Sequence, residues 1–193
     1  MNVLVLFGEA KQPESEEWFP EGSTFEHQDI KEFVDNEHVG DGVVDVVLAL
    51  HSLNKLVPEK VVEVIPKIYN LLRVGGEFWA YTPSFEWIAK QAFINDPSPL
   101  LHYQVFGIPK SPNKSLYNLA WLRELIVSNG FVPRVATQDR YAVKSTYLDK
   151  KSGKEKESTV QLVQNAVIGW KTEEKPITIK DKEGSDDPAS AID

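Results

Sequence analysis

The sequence predicts an α/β domain: a mostly parallel sheet, helices on both faces, and an antiparallel hairpin at its C-terminal end. Three observations carry this. Val3–Phe7, Val43–Leu50 and Glu77–Thr82 are largely apolar runs, as parallel strands covered on both faces are. A stretch of helical period separates the last two runs, as a crossover between parallel strands requires. Two further strand-like runs, Phe131–Val143 and Thr159–Trp170, flank a lysine-rich turn and read as a hairpin.

The first strand, Val3–Phe7, ends at Gly8. Glu9–Gly22 is polar and acidic, interrupted by Pro13 and Pro20, and has no helical period. It reads as a long loop carrying Trp18 and Phe19. Ser23–His27 fits a short second strand, and Asp29–Phe33 one helical turn. Val43–Leu50 is the clearest strand, rich in valine and bounded by Gly40, Gly42 and His51. A helix follows from about Pro58 to Arg73, with Val61, Ile65, Ile68 and Leu72 on one face. Pro58 suits its first turn, whereas Pro66 removes an interior hydrogen bond. The segment therefore reads as two short helices meeting near Glu63. Gly75-Gly76 then ends the helical stretch.

After Glu77–Thr82, Ser84 can cap a helix from Phe85 to about Ile94, broken by Asn95–Pro99. Leu100–Asn113 is a loop rich in proline and aromatics. Ser115–Asn129 reads as a helix with Leu119, Leu122, Leu125 and Ile126 on one side, stopped by Gly130. From Thr172 onward apolar residues are scarce and acidic ones common. The expected organisation is one domain over residues 1–171 and a disordered acidic tail over 172–193.

Composition narrows the function. A chain of 193 residues, 41% hydrophobic and 26% charged, suits a globular domain with a real core. No apolar run approaches the roughly 20 residues that span a bilayer, and the N-terminus lacks a signal peptide's basic start. A soluble, cytoplasmic protein without membrane contact is the expectation. The lack of cysteine excludes disulfides and thiolate metal sites. The four histidines are scattered, so no metal site is expected. A net charge of -8 disfavours nucleic acid as a partner. Lys150, Lys151, Lys154 and Lys156 are interrupted by Glu155 and Glu157 and read as a solvated turn. A small molecule or a protein remains as partner.

Three stretches carry a family resemblance. Asp41-Gly42-Val43-Val44-Asp45-Val46-Val47-Leu48-Ala49-Leu50-His51-Ser52-Leu53-Asn54-Lys55-Leu56 is similar to the fourth strand of class I S-adenosylmethionine (SAM)-dependent methyltransferases, which is often followed by a His or Glu and a short helix. Leu71-Leu72-Arg73-Val74-Gly75-Gly76 and the apolar run after it resemble their Leu-Lys-Pro-Gly-Gly turn and fifth strand, with Val74 where proline is usual. Trp121–Phe131 is similar to their last helix, which typically ends in Gly-Phe. The resemblance is to the type 11 kind and covers roughly Asp29–Trp170. It implies a Rossmann-like sheet and SAM as cofactor, with ligands beyond the carboxyl ends of the strands.

The resemblance places Gly8, Glu9, Asp29, Leu50 and His51 around the cofactor, and His51 and Tyr81 at methyl transfer. Asp29 fits an acceptor for adenine's amino group and equally a helix N-cap. His51 fits a general base and also a strand-end histidine holding local backbone. Tyr81, Thr82 and Ser84 leave the fifth strand at the same edge, where Ser84 also suits a cap. His102, Tyr103 and Phe106 fit a lid over the substrate, or a loop packed on the core. Trp18 and Phe19 read both ways too.

One departure bears on function. The family's glycine-rich loop after the first strand is Gly8-Glu9-Ala10-Lys11-Gln12-Pro13 here, with a single glycine. The first helix and second strand are read as replaced by the Glu9–Gly22 loop, leaving Glu9 or Glu14 for the ribose. The fourth strand ends in Leu50-His51-Ser52-Leu53, unlike the Asn-Pro-Pro-Tyr of base methylases, which argues against DNA methylation. Methyl transfer to a small molecule or protein is the first reading. A catalytically inactive binding or assembly module on the same fold is the alternative.

Overall fold

Four neighbouring parallel strands carry the molecule, within one six-stranded sheet of order β2-β1-β3-β4-β8-β7. The structure is a computed structural model and describes residues 1–8, 13–36, 40–93, 105, 107–108, 111–148 and 155–172. The elements are β1 (Asn2–Phe7), β2 (Thr24–Asp29), α1 (Ile30–Asp35), β3 (Val44–Leu50), α2 (Pro58–Leu71), β4 (Leu72–Pro83) and α3 (Phe85–Phe93). The two-residue strands β5 (Gly107–Ile108) and β6 (Ser111–Pro112) pair with each other. Then come α4 (Leu119–Val127), β7 (Val132–Leu148) and β8 (Glu155–Trp170). β8 runs antiparallel to both β4 and β7. Among the described residues, no helix is long and apolar enough to cross a membrane.

This is the expected α/β class, and the two strands on which the sequence reading turned do run side by side and parallel. Val46–Leu50 pair with Glu77–Tyr81 in register. Alternation along β1 and β3 sorts their side chains to two sides. Leu4, Leu6, Val47 and Ala49 face a core filled by Ile30 and Phe33 of α1, Ile65 and Ile68 of α2, and Leu122 and Ile126 of α4. Val3, Val5, Val46, Leu48 and Leu50 face the other way, onto Phe19, Phe25, Trp79 and Tyr81. Layering is thus uneven: helices pack into the first core, and the second is roofed by aromatic side chains. Phe19 provides much of that roof, stacked on Trp79 with ring centroids 5.2 Å apart and edge-on to Phe25.

Several boundaries differ from the sequence reading. The segment from Pro58 is one helix, not two. Pro66 leaves the carbonyl of Val62 without its intrahelical donor, and Val62 is an exposed residue, so solvent can serve that oxygen. Helix α2 also stops at Leu71, before the glycine pair rather than at it. Gly75-Gly76 lies inside β4, where register jumps from Val44↔Leu72 to Val46↔Glu77 and the extra residues bulge out. Gly75 takes φ +81°, and a Cβ on Gly76 would come 2.9 Å from the Arg73 carbonyl oxygen and 3.0 Å from that of Asp45. Lys171 straps the bulge. Its backbone exchanges hydrogen bonds with Gly75 and Gly76, and its Nζ donates to the Leu72 carbonyl at 2.6 Å.

The expected structureless loop contains a 3-10 turn, Pro13–Trp18. Helix α4 starts at Leu119 rather than Ser115, because the Asn118 side chain caps it by accepting from Trp121 N at 2.7 Å. Both hairpin strands are longer than expected. Lys150, Lys151 and Lys154 lie outside the described residues, as does the tail from residue 173.

Gly76→Ala should lower stability by about 1–3 kcal/mol, because two carbonyls leave no room for a methyl group. Gly40→Ala, where an added Cβ meets nothing nearer than 3.9 Å, should be near neutral. Urea unfolding midpoints of the two variants decide this.

Candidate functional site

The parallel strands end level with one another. Phe7 lies opposite both Asp29 and Leu50, and Leu50 opposite Tyr81. Gly8, Asp29, His51 and Thr82 therefore leave the sheet at one edge, where open parallel sheets bind ligands. Grooves of about 290 and 390 Å³ lie at the opposite, amino edge, beside Asn2 and Thr24 and beside Asp41 and Arg73 respectively.

The expected site residues meet different fates at this edge. Asp29 is the N-cap of α1: its Oδ1 accepts from Lys31 N at 2.8 Å. Leu50 is 6% exposed and belongs to the second core. His51 carries φ +47°, a left-handed conformation that a non-glycine residue adopts only when its surroundings hold it. They do: His51 N donates to the Tyr81 carbonyl at 2.9 Å, and Nε2 lies 2.8 Å from Gln164 Oε1. Gln164 sits on β8 opposite Pro83, so the imidazole is anchored beyond the neighbouring strand. Ser84 is fully buried and caps α3, its Oγ accepting from Trp87 N at 3.2 Å. Glu9, His102, Tyr103 and Phe106 lie outside the described residues, as does the Glu14 side chain.

Tyr81 leans against Trp18, ring centroids 5.7 Å apart. Burial pushes its phenol above the ordinary value of 10.0, and the negative charge of Asp139 pushes in the same direction. Tyr117, on the other side of β4, is also raised by burial, offset in part by its hydrogen bond with Ser115.

Sequence reasoning missed the residue that fills the edge. Lys55, in the 3-10 turn Leu53–Lys55 that follows β3, is only 3% exposed. Its stem lies against Gly8 so closely that a Cβ there would collide with Lys55 Cγ. The head is fixed as well, Nζ donating to Asn113 Oδ1 at 2.7 Å. Asn54 Nδ2 donates to the same oxygen at 2.6 Å. The chain after Asn113 completes a clamp, with Lys114 N and Ser115 N both donating to the Asn54 carbonyl. Only a lysine beside the strand-end histidine was visible in the sequence, and a lysine there ordinarily reads as solvated. Among the described residues, Ser52 Oγ, Asn54 Oδ1 and Thr82 Oγ1 are buried at the same edge and find no hydrogen-bond partner, so the clamped edge is polar inside.

No protein-family model matches the chain, and no curated protein matches it. Solved structures do match. A candidate methyltransferase from Bacillus halodurans aligns with TM-score 0.55 and 11% identity over 89% of this chain and 92% of that one. The YcgJ protein from Bacillus subtilis gives TM-score 0.53 and 12% identity over the same shares. A SAM-dependent methyltransferase from Methanosarcina mazei gives TM-score 0.50 and 11% identity, again over 89% and 92%. Identity this low carries the fold alone. The chain has the fold of the SAM-dependent methyltransferases, with a six-stranded mixed sheet.

Two measurements test the edge. Asn113→Ala removes the acceptor that Asn54 Nδ2 and Lys55 Nζ share and should cost about 1–3 kcal/mol in urea unfolding, whereas Asn113→Asp keeps an acceptor and should cost less. Tyr81 should ionise above pH 10.0 in an ultraviolet titration, and Asp139→Asn should bring it only part of the way back, since burial remains. The folded state holds this proton more tightly than the unfolded chain. The associated stability is therefore intact below pH 10.0 and lost as pH rises through the raised value.

Proposed function

We propose that this protein is a non-catalytic member of the methyltransferase fold, a binding module rather than a methyl-transfer enzyme. The observation that carries the reading is the Lys55 stem packed on Gly8. A SAM-binding edge needs bare backbone after the first strand, so that the cofactor can lie against it. Here that backbone is covered by the protein's own side chain. Asp29, opposite Phe7 at the end of β2, already gives Oδ1 to the α1 cap. The described residues at this edge thus do not fit SAM.

His51 and Tyr81 have structural employment that supports the same reading. The imidazole ties the end of β3 to β8, and the Tyr81 ring supports Trp18 on the aromatic face. A lone positive-φ histidine at a strand end would otherwise favour catalysis, because strained conformations cluster at active sites. In this chain the hydrogen bonds to the Tyr81 carbonyl and to Gln164 supply a local cause for the strain.

Calorimetric titration of the full chain with SAM, and separately with S-adenosylhomocysteine, tests the reading. Neither should release heat at millimolar concentration, and neither should raise the melting temperature. Submillimolar binding that weakens in Gly8→Ala would overturn it and restore the enzyme.

A further inference from the structure

The amino edge of the sheet, opposite the Lys55 clamp, carries a broken trough. Three grooves of about 390, 190 and 290 Å³ follow one another there. The first is lined by Asp41, Asn70, Arg73 and Lys171. The second and third share Leu4, Glu26, Val43 and Val44. Their floor is apolar, and Val43 is 56% exposed although it belongs to that floor. The helix layer leaves this corner bare: Thr24 and Glu26, which pair with Asn2 and Leu4 on the helix side of the sheet, are exposed. Asn70 Oδ1 is buried in the wall of the first groove and finds no donor among the described residues.

The chain itself is delivered to the head of this trough. Lys171, which follows β8, lines the first groove while its backbone is fixed to Gly75 and Gly76. The sequence then continues Thr172-Glu173-Glu174-Lys175-Pro176-Ile177-Thr178-Ile179-Lys180. Ile177 and Ile179 are the only two large apolar residues close together beyond Thr172. Two residues apart, they share one side of an extended segment. Reach agrees with the geometry. Trp170, Glu77, Val46 and Val3 lie in one row across β8, β4, β3 and β1, three strand spacings or about 14 Å wide. Five extended residues from Thr172 to Ile177 cover about 16–18 Å. Charges agree in order as well. Glu173 and Glu174 would come first, near the largely exposed Arg73, then Lys175 near Asp41, and Lys180 near Glu26 past the apolar floor.

We propose that the segment Glu173–Lys180 docks along this amino-edge trough of its own chain, with Ile177 and Ile179 on Leu4, Val43 and Val44. Its backbone passes Asn70, where an amide N–H supplies the donor that Oδ1 otherwise lacks. The strap completes the helix-side layer over β1 and β2, and only the chain beyond Lys180 is left as an acidic tail. This goes beyond the reading of the Gly8 edge and does not rest on it, because the two lie at opposite ends of the strands.

Hydrogen–deuterium exchange of the full chain, read by mass spectrometry, tests the docking. After correction for intrinsic rates, the amides of residues 177–180 should exchange about tenfold more slowly than those of residues 184–187. The pair Ile177→Ser and Ile179→Ser should abolish that slowing from the side of the segment. Val43→Asp should abolish it from the side of the groove, and the exposure of Val43 lets the fold tolerate the change. The pair Asp186→Asn and Asp187→Asn removes charge beyond the segment and should leave the slowing intact. The proposal falls if residues 177–180 exchange as fast as 184–187 in the parent protein. It falls equally if the slowing survives the isoleucine pair, or survives in a folded Val43→Asp protein, which would seat the segment elsewhere. Should Val43→Asp unfold, the isoleucine pair still decides. Slowing that fades on tenfold dilution would put the segment of a second copy in the groove and refute docking within one chain.

Discussion

In-register parallel pairing of β1, β3 and β4 is the constraint from which the rest of the structure follows. Val5, Val47, Leu48 and Ala49 are shut off from solvent on both sides of the sheet, so their backbone groups depend on the strand ladders for partners. A slip of one residue would turn the two cores inside out. Locked register also sets the strand ends level, and that alone brings Gly8, His51 and Thr82 to one edge.

At this edge, fold and ligand contact rest on different residues. The strand order and crossovers depend on buried apolar faces, and these are intact. A ligand site depends on a few exits being bare, and one lysine suffices to cover an exit. The Lys55 stem covers Gly8 while Asn113 holds its head, so the side chain satisfies both its apolar and its polar requirements without leaving the protein. What Lys55 contributes is local closure, tying the turn after β3 to the chain preceding α4. The sheet's other face is built differently. A short acidic, aromatic segment roofs it, and Trp18 is left half outside.

Much of the fold was legible because it is written in periods. Continuous apolar runs marked β1, β3 and β4, and the helical spacing of Val61, Ile65 and Ile68 marked α2. Ser84 was legible as a cap from residue type and place. Boundaries were less so. Pro66 suggested a broken helix because local rules count the lost hydrogen bond and not the packing that outweighs it. Gly75-Gly76 suggested a helix end because a glycine's freedom looks alike at a helix terminus and in a bulge. Which it serves depends on Asp45, a residue of the neighbouring strand whose carbonyl faces Gly76.

By itself the sequence determined the class of fold, the direction of its central strands and the acidic, cysteine-free character of the chain. Those properties arise from local periodicity and composition, which need no distant partner to be read. The tertiary structure decided what the edge residues do. Asp29 stands beside Phe7, His51 reaches Gln164 and Lys55 reaches Asn113 only once the chain is folded, since 113 and 58 residues separate the last two pairs. A side chain's chemistry is fixed by its type, but its employment is fixed by what lies within hydrogen-bonding distance, and that distance is set by the packing of the whole.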